Sequence, residues 1–469
     1  MTSVIPQPVI TALRQLRAEG FSAYLVGGCI RSLLLHMPPK DYDLTTNAEP
    51  DQVLRIFRAN HTIETGLQHG TVMVVIDNWP LEITTYRIDG PYTDKRRPDQ
   101  VQFTRNLIED LSRRDFTINA MAWSPFKADS QDDLPASPEE RAFDPADVID
   151  PFQGRQDLAA RLIRCVGAPE QRFAEDALRI LRALRFAAVL DFQLEEQTGR
   201  AIHQTGKTLR IIARERIQSE FGSLICGLRA PEILRDYLDV FGVFIPELLP
   251  LKDFNQYNPH HHLDLLSHSL LVLRGVPPQT ALRLAALLHD IGKPATSSRD
   301  SQGIGHFYGH QQKGADMARA ILLRLRWDQA TLVRVVHLIQ YHDSLPDATP
   351  KSVKHWLHKH SPGLAHDLLI LKKADILAQN PVTHQGKLNH LQEITRLADQ
   401  ILADEQCFTL RQLAVNGKDL LRIGCPKGRS VGNALQYLLD EVIDGHLPNE
   451  HQALLEAAVR YCSVEPDNL

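Results

Sequence analysis

Two carboxylates one residue apart, Asp41 and Asp43 in KDYDLTT, are the first groups in this chain whose type and spacing could do chemistry. Alternate residues of a strand point to one face, so the pair can offer hard oxygen ligands side by side. Such ligands suit Mg²⁺ bridging a nucleoside triphosphate and an attacking hydroxyl. Upstream, Gly27 and Gly28 in LVGGCIRSLLLH let the backbone turn tightly and approach a phosphate, with a helix N-terminus behind them. Taken singly, each has a plainer reading: the glycines as an ordinary strand-to-helix turn, the acids as solvent-facing. A third acid, Glu82 in LEITTYR, could complete the set from a neighbouring strand or could pair with Arg87.

The elements that must position these residues are legible from periodicity. From Ile5 to Ala18 apolar residues fall at helical spacing, FSAYLVGG reads as a buried strand, and CIRSLLLH as a short helix. TVMVVID and LEITTYRI read as two further strands, so the first 120 or so residues carry both helices and strands. Ser124 to Asp147 is acidic and rich in Pro, Ser and Asp, which predicts a solvated surface loop. From Asp157 onward helical periodicity dominates, punctuated near Pro231, Pro246, Pro277 and Pro362.

Composition bounds the rest. A chain of 469 residues exceeds one hydrophobic core, and 43% hydrophobic with 23% charged residues is ordinary for a globular protein. A net charge of −5 excludes a protein coated in positive charge, so any nucleic-acid affinity requires a local basic surface. Six cysteines without CxxC spacing suit reduced thiols rather than a disulfide framework or zinc knuckle. No signal peptide and no stretch of about 18 uninterrupted apolar residues appears, which predicts a soluble, cytoplasmic protein without membrane contact.

Taken together, GGCIR, KDYDLTT, EITTYR, EDLSRRDFTINAMA and EDALRILRALRFAA resemble, in order and spacing, the class II tRNA nucleotidyltransferase and bacterial poly(A) polymerase family. The resemblance covers most of the chain, including the tail FTLRQLAVNGKDLLRIGCPKGRSVGNALQYLLDEVIDGHLPN. It implies an α+β fold: a polymerase-β-like head with a small mixed sheet, followed by an all-α neck, body and HD-containing tail. Asp41 and Asp43 would then be the catalytic residues and would hold Mg²⁺. One departure stands out: Arg31-Ser32 replaces the family's Arg-Asp, a change beside the metal site rather than in the acid pair.

In SRRDFTINA, Arg113 and Arg114 can neutralise triphosphate oxygens, and Asp115 and Asn119 fall four residues apart, on one face of a helix. The resemblance assigns Asp115 to the ribose hydroxyl. In EDALR, Asp176 and Arg179 are three apart, which predicts neighbours on a helix surface. An acceptor beside a bidentate donor matches the Watson–Crick edges of cytosine and adenine, while uracil and guanine would leave buried polar groups unpaired. Gly28, Arg31, Arg182 and Arg185 complete the expected nucleotide-binding set. RIDGPYTDKRRPDQVQF, with Asp94, Arg96 and Arg97, resembles the family's flexible loop that helps the site switch from C to A. Arg155, Arg161, Arg164, Arg214 and Arg216 join Arg182 and Arg185 as a basic stripe that could track RNA phosphates.

HHHLDLLSHSL, LRLAALLHDIGKPAT, HFYGHQQKGADMA, VVHLIQYHD and LKKADILAQ resemble an HD metal-dependent phosphohydrolase domain. The resemblance implies one ion on His268, His289, Asp290 and Asp375. His310 and His342 could bind a second, and His306, His262 and His337 are poorer candidates. Imidazoles mixed with carboxylates suit Mn, Co, Ni or Fe better than Ca²⁺. A purely structural HD fold is the alternative.

These readings predict a head over 1–150, a neck over 151–245 that selects the base and binds RNA, an HD domain over 246–385 and a tRNA-binding tail over 386–469. The expected activity is template-independent addition of CCA to tRNA from CTP and ATP. The alternatives are an A-adding or poly(A)-adding enzyme, and an HD hydrolase with an RNA-binding head.

Overall fold

The computed structural model describes residues 5–90, 101–126, 143–258 and 263–464. The chain forms two compact units, Met1–Pro246 and Glu247–Leu469.

Among the described residues of the first unit, eight strands precede the helical part: β1 (Ala23–Val26), β2 (Asp43–Thr46), β3 (His61–Gly66), β4 (Thr71–Ile76), β5 (Trp79–Thr85), β6 (Arg87–Asp89), β7 (Val101–Phe103) and β8 (Ala122–Trp123). Six build one mixed sheet in the order β3-β4-β5-β2-β1-β8, and β6 pairs with β7 apart from it. The two strands that carry acids, β2 and β5, are the parallel pair, with Asp43 opposite Glu82. A parallel pair needs a crossover, supplied by the helix Pro50–Ile56 and the β3–β4 hairpin. β4 alternates buried and half-buried residues, so one face is dry, with Val72, Val74, Leu81 and Ile83 inside. The helix Gln7–Ala18 buries Val9, Leu13 and Leu16 at helical spacing.

The remainder of this unit is helical apart from one short parallel pair, Leu162–Ile163 with Gln193–Leu194, so the neck is not purely α: Pro169–Glu175, Leu178–Leu190, Glu196–Thr205 and Arg214–Ile225 are its main elements. Leu178–Leu190 packs on Arg214–Ile225, and Phe221, Phe241 and Phe244 meet at 5.6–6.0 Å between ring centroids. The expectation of a solvated loop from Ser124 to Asp147 holds for residues 144–147, which are exposed, but not for 124–126 or Phe143. Phe126 and Phe143 are buried, and Phe143 packs on Trp123, because aromatic burial outweighs the polar composition between them. Residues 127–142 lie outside the described residues.

The second unit is a stack of helices around Thr280–Leu288, which is buried on all sides. Leu265–Gly275, Gln329–Tyr341 and Pro362–Ala378 pack on it, and His310–Arg324 packs in turn on Gln329–Tyr341. Asp264 and Asp328 start two of these helices by accepting the backbone N–H groups of Ser267 and Thr331. His384–Ala403, Gly417–Arg422, Arg429–Asp444 and His451–Val464 follow, with Leu420, Leu438, Leu439 and Leu454 inside. Cys425 and Cys462 bring their sulfurs to 2.8 Å, a meeting their spacing did not announce. Among the described residues no helix is long and apolar enough to cross a membrane.

Candidate functional site

Two constellations stand out, one in each unit. In the first, Tyr42 is buried between Asp41 and Asp43 and packs on Trp79, while both acids line one cavity, Asp43 as the first residue of β2 and Asp41 just before that strand. Burial, followed by the like charges of Asp41 and Glu82, pushes Asp43 up to about 6, against the pull of Arg114. An acid cluster that raises its own pKa is a site short of positive charge. A divalent cation supplies it, so the residues fit Mg²⁺. Glu82, one strand away, faces Asp43 in the ladder, while Arg87 ion-pairs with Asp89 at 3.0 Å.

Around these acids lies a cavity of about 430 Å³, lined by Gly28, Arg31, Asp41, Asp43, Arg114, Asp115, Asn119, Arg182 and Arg185. That size suits a nucleotide. Gly27, at φ +77°, has no Cβ because one would sit 2.9 Å from Arg114 Nη1. Arg31 donates to Asn119, and Asn119 donates to Asp115 at 3.0 Å. Arg182 grips Asp115 through Nε and Nη2 at 2.8 and 2.7 Å. Burial alone would raise Asp115, but Arg182, the Asn119 amide and Arg179 outweigh it and hold the carboxyl at about 2. Phe186 gathers the cations, with Arg31, Arg182 and Arg185 at 4.8, 5.5 and 4.1 Å from its ring centre. Burial, with the neighbouring Arg185 and Arg182, lowers Arg31 to about 10 against the pull of Asp115.

The structure separates residues that spacing had grouped. Arg114 lines the cavity, but Arg113 turns to Asp110 at 2.8 Å and approaches Asp89. Asp115 and Asn119 do meet, though not on a helix: Phe116 is extended and only Thr117–Asn119 forms a single 3-10 turn. Asp176 and Arg179 do not share a helix surface. Asp176 is extended between two helices, and its carboxylate accepts the Leu178 N–H, as a turn-starting Asp does. Its other oxygen takes Arg216 at 2.8 Å, while Arg179 holds Glu175 and the Arg113 carbonyl. The basic stripe is largely neutralised: Arg161 pairs with Asp191, Arg164 with Asp157, and Arg185 with Glu220. Asp94, Arg96 and Arg97 lie outside the described residues.

Sequence reading missed Asp110. It is fully buried, and burial would raise it, but Arg113 and Arg114 hold it down, and it also takes the Arg87 N–H and the Thr45 hydroxyl. Its i,i+3 and i,i+4 spacing to the two arginines was the available signal. Phe186 and Glu220 were missed too, because only the packing of two helices brings them to the arginines.

In the second unit, His268, His289, Asp290, His310, His342 and Asp375 converge from five helices or the turns that directly follow them, all buried. His268, His289 and Asp375 present donor atoms within 4.8 Å of one another, and so do Asp290, His310 and His342. Asp290 joins the groups: Oδ2 lies 3.1 Å from His289, and Oδ1 lies 3.3 Å from His310 and 3.7 Å from His342. The one-ion set expected for His268, His289, Asp290 and Asp375 thus draws on both groups, with Asp290 as the link between them.

The imidazoles are aimed by the backbone. The Nδ1 atoms of His289, His310 and His342 lie 2.9, 2.8 and 2.7 Å from the carbonyls of Ala286, Phe307 and Ile339, and His268 Nδ1 lies 3.3 Å from Ala378. A carbonyl accepts only, so each Nδ1 carries a proton, and it is Nε2 that faces the centre. Burial would raise Asp290 and Asp375, but His289 and Lys293 pull the first far down, and Lys372 and His268 the second. Carboxylate oxygens with imidazole Nε2 atoms are a transition-metal donor set. His306 pairs with Asp300 and His337 with His360, away from the cluster, and His262 lies outside the described residues.

The Poly A polymerase head domain matches residues 23–164, and the HD domain matches 266–380. The first unit therefore carries a head of the nucleotidyltransferase class, and the second an HD domain. A tRNA nucleotidyltransferase domain 2 matches residues 366–458. The chain is 33% identical to the CCA-adding enzyme of Latilactobacillus sakei over 98% of its own length and 99% of that protein. It is 31% identical to that of Limosilactobacillus fermentum over 96% of each. The Bacillus stearothermophilus CCA-adding enzyme solved in complex with CTP is 27% identical, with a TM-score of 0.69 over 99% of both chains. The chain belongs to the CCA-adding enzyme family of tRNA nucleotidyltransferases.

Proposed function

We propose that this protein adds CCA to the 3′ end of tRNA from CTP and ATP, without a template. The observation that carries the reading is the cavity in which Asp41 and Asp43 face Arg31, Arg114, Arg182 and Arg185. Asp41 and Asp43 would hold Mg²⁺, which supplies charge neutralisation at the triphosphate and lowers the pKa of the RNA 3′-hydroxyl. That hydroxyl attacks the α-phosphorus, and pyrophosphate leaves. Arg114 and Arg31 hold triphosphate oxygens, with Arg113 fixed behind Arg114 through Asp110. Asp115 and Asn119 meet the ribose, which favours ribonucleotides. Asp176 and Arg179 read the base, once Arg216 yields the Asp176 carboxylate. The domain limits, the tRNA-binding tail and a cytoplasmic setting belong to the same reading. Incubating the protein with tRNA ending before CCA and each triphosphate separately tests it. CTP alone should add two C, and ATP should follow with one A; only A, or a long A ladder, would favour the A-adding or poly(A)-adding alternative.

A second reading is favoured by the four Nδ1–carbonyl contacts, which a merely structural HD fold does not require. In it the HD cluster holds one or two Mn, Co, Ni or Fe ions and hydrolyses phosphate esters, among them 2′,3′-cyclic or terminal phosphates that would block an RNA 3′ end. Lys293, 2.7 Å from Asp290, stands where it can meet a phosphate oxygen.

A further inference from the structure

Three of the guanidinium groups that line the head cavity, those of Arg31, Arg182 and Arg185, meet around one ring. Arg31 comes from the helix Gly28–Leu34, and the other two come from Leu178–Leu190. Like charges brought this close repel, so each needs a partner. Arg182 has Asp115 at 2.7 Å, and Arg185 has Glu220 at 2.5 Å. Among the described residues no carboxylate pairs with Arg31, which donates to the Asn119 amide oxygen and keeps a buried Nε without a hydrogen-bond partner. What stands beside all three is Phe186, whose ring centre lies 4.8, 5.5 and 4.1 Å from the guanidinium carbons of Arg31, Arg182 and Arg185. The ring is buried, lines the same cavity, and is set by a T-shaped contact with buried Phe116, at 5.7 Å and 85°. The face of a benzene ring attracts cations, and more strongly where water is excluded. It does so without a net charge, so it gathers arginines and leaves them cationic.

We propose that Phe186 is a positioning residue for the triphosphate: its ring holds Arg31, Arg182 and Arg185 together while leaving their charge for phosphate oxygens. This rests on the nucleotidyltransferase reading above and adds to it an uncharged group that acts through the arginines. A carboxylate in the same place would hold the three as well, but it would cancel the charge that the phosphates are to meet. An aliphatic side chain would fill the space and leave the cations to repel. They would then have to be gathered each time a triphosphate arrives, at a cost in affinity. A triphosphate spans several of these groups where a monophosphate meets fewer, so the ring matters more for CTP than for CMP.

The test uses the full chain as Phe186→Leu, as Phe186→Tyr, and with pentafluorophenylalanine at position 186, which keeps the ring's shape and reverses its quadrupole. Calorimetry with Mg²⁺ and no tRNA, titrating CTP and CMP in separate runs, gives binding without turnover. Phe186→Leu and the fluorinated chain should bind CTP about tenfold more weakly, the loss of the cation–π contacts, and CMP only about twofold more weakly. Phe186→Tyr, which keeps an electron-rich ring, should bind both within about twofold of the parent. In C addition to tRNA that ends before CCA, the two weakened forms should raise KM for CTP about tenfold with kcat near the parent's, because the arginines serve the ground and transition states alike. A fluorinated chain that binds CTP as the parent does, or equal losses on CTP and CMP, would overturn the proposal and leave Phe186 as packing alone. The expected loss of CTP binding beside a parent that adds no nucleotide to tRNA would keep the role of the ring and remove the CCA-adding reading.

Discussion

The two sites of this molecule solve opposite electrostatic problems. In the head, Asp43 and Glu82 sit side by side on the two central strands of the sheet with Asp41 close by, and burial, followed by the like charges of Asp41 and Glu82, pushes Asp43 up to about 6 against the pull of Arg114. In the HD unit, Asp290 and Asp375 are more deeply buried yet held far below the ordinary range, because lysines and imidazoles surround them. The head leaves charge for an arriving Mg²⁺ and triphosphate to neutralise. The HD cluster is compensated in advance, as a resident-ion site with nitrogen ligands should be. Depth of burial therefore does not decide a carboxylate's state; the partners that burial brings do.

Breaking the head's acid pair should give the largest effect. Asp41→Ala or Asp43→Ala should lower nucleotide incorporation by about 10³-fold or more while tRNA binding stays close to the parent's, since metal ligands act on the chemical step. Incorporation within a few-fold of the parent in either variant would sink the assignment. For the other site, His310→Ala or His342→Ala should lower bound Mn²⁺ from two ions per chain to one and reduce ester hydrolysis by about 10–100-fold. Two ions retained in both variants would mean that Asp290 does not join two sites.

Base selection should respond more gently. Asp176→Ala or Arg179→Ala should admit UTP or GTP by losing about 1–3 kcal/mol of discrimination per buried polar group, with little change in triphosphate affinity. Unaltered selectivity in both would place base reading elsewhere. The smallest effect is on stability. Asp43 titrates higher folded, at about 6, than unfolded, where Asp lies near 4, so the metal-free fold gains stability as pH falls through this window. Asp43→Asn should therefore stabilise metal-free protein at pH 7.5 by about 1–2 kcal/mol after allowance for solvent screening, and by nothing below pH 4. Thermal melts that show the same difference at both pH values would contradict the frustrated acid cluster.

Much of this contrast was legible in the sequence, and the losses have physical causes. The acid pair on a strand, the glycine turn and the His-Asp pair after an apolar run depend on local periods that the chain states directly. The Asp176–Arg179 pair failed as a helix neighbour because an Asp that can cap its own turn interrupts the helix that i,i+3 spacing assumes. Arg113 and Arg114 looked equivalent, yet adjacent side chains leave in different directions, and buried Asp110 takes one of them almost entirely. Phe186 was invisible as a site residue, because a Phe in an apolar helix reads as core until three guanidinium groups are seen around it. The Asp290 bridge required the packing of five helices, which no linear spacing encodes.

One cross-assay addresses the central claim, that two metal-dependent sites act independently in this chain. Asp41→Ala and the double variant His289→Ala with Asp290→Ala are each measured for CCA addition with Mg²⁺ and for 2′,3′-cyclic AMP hydrolysis with Mn²⁺. The account predicts a full exchange: Asp41→Ala loses addition and keeps hydrolysis, and the double variant keeps addition and loses hydrolysis. Parallel losses of both activities in both variants would contradict it.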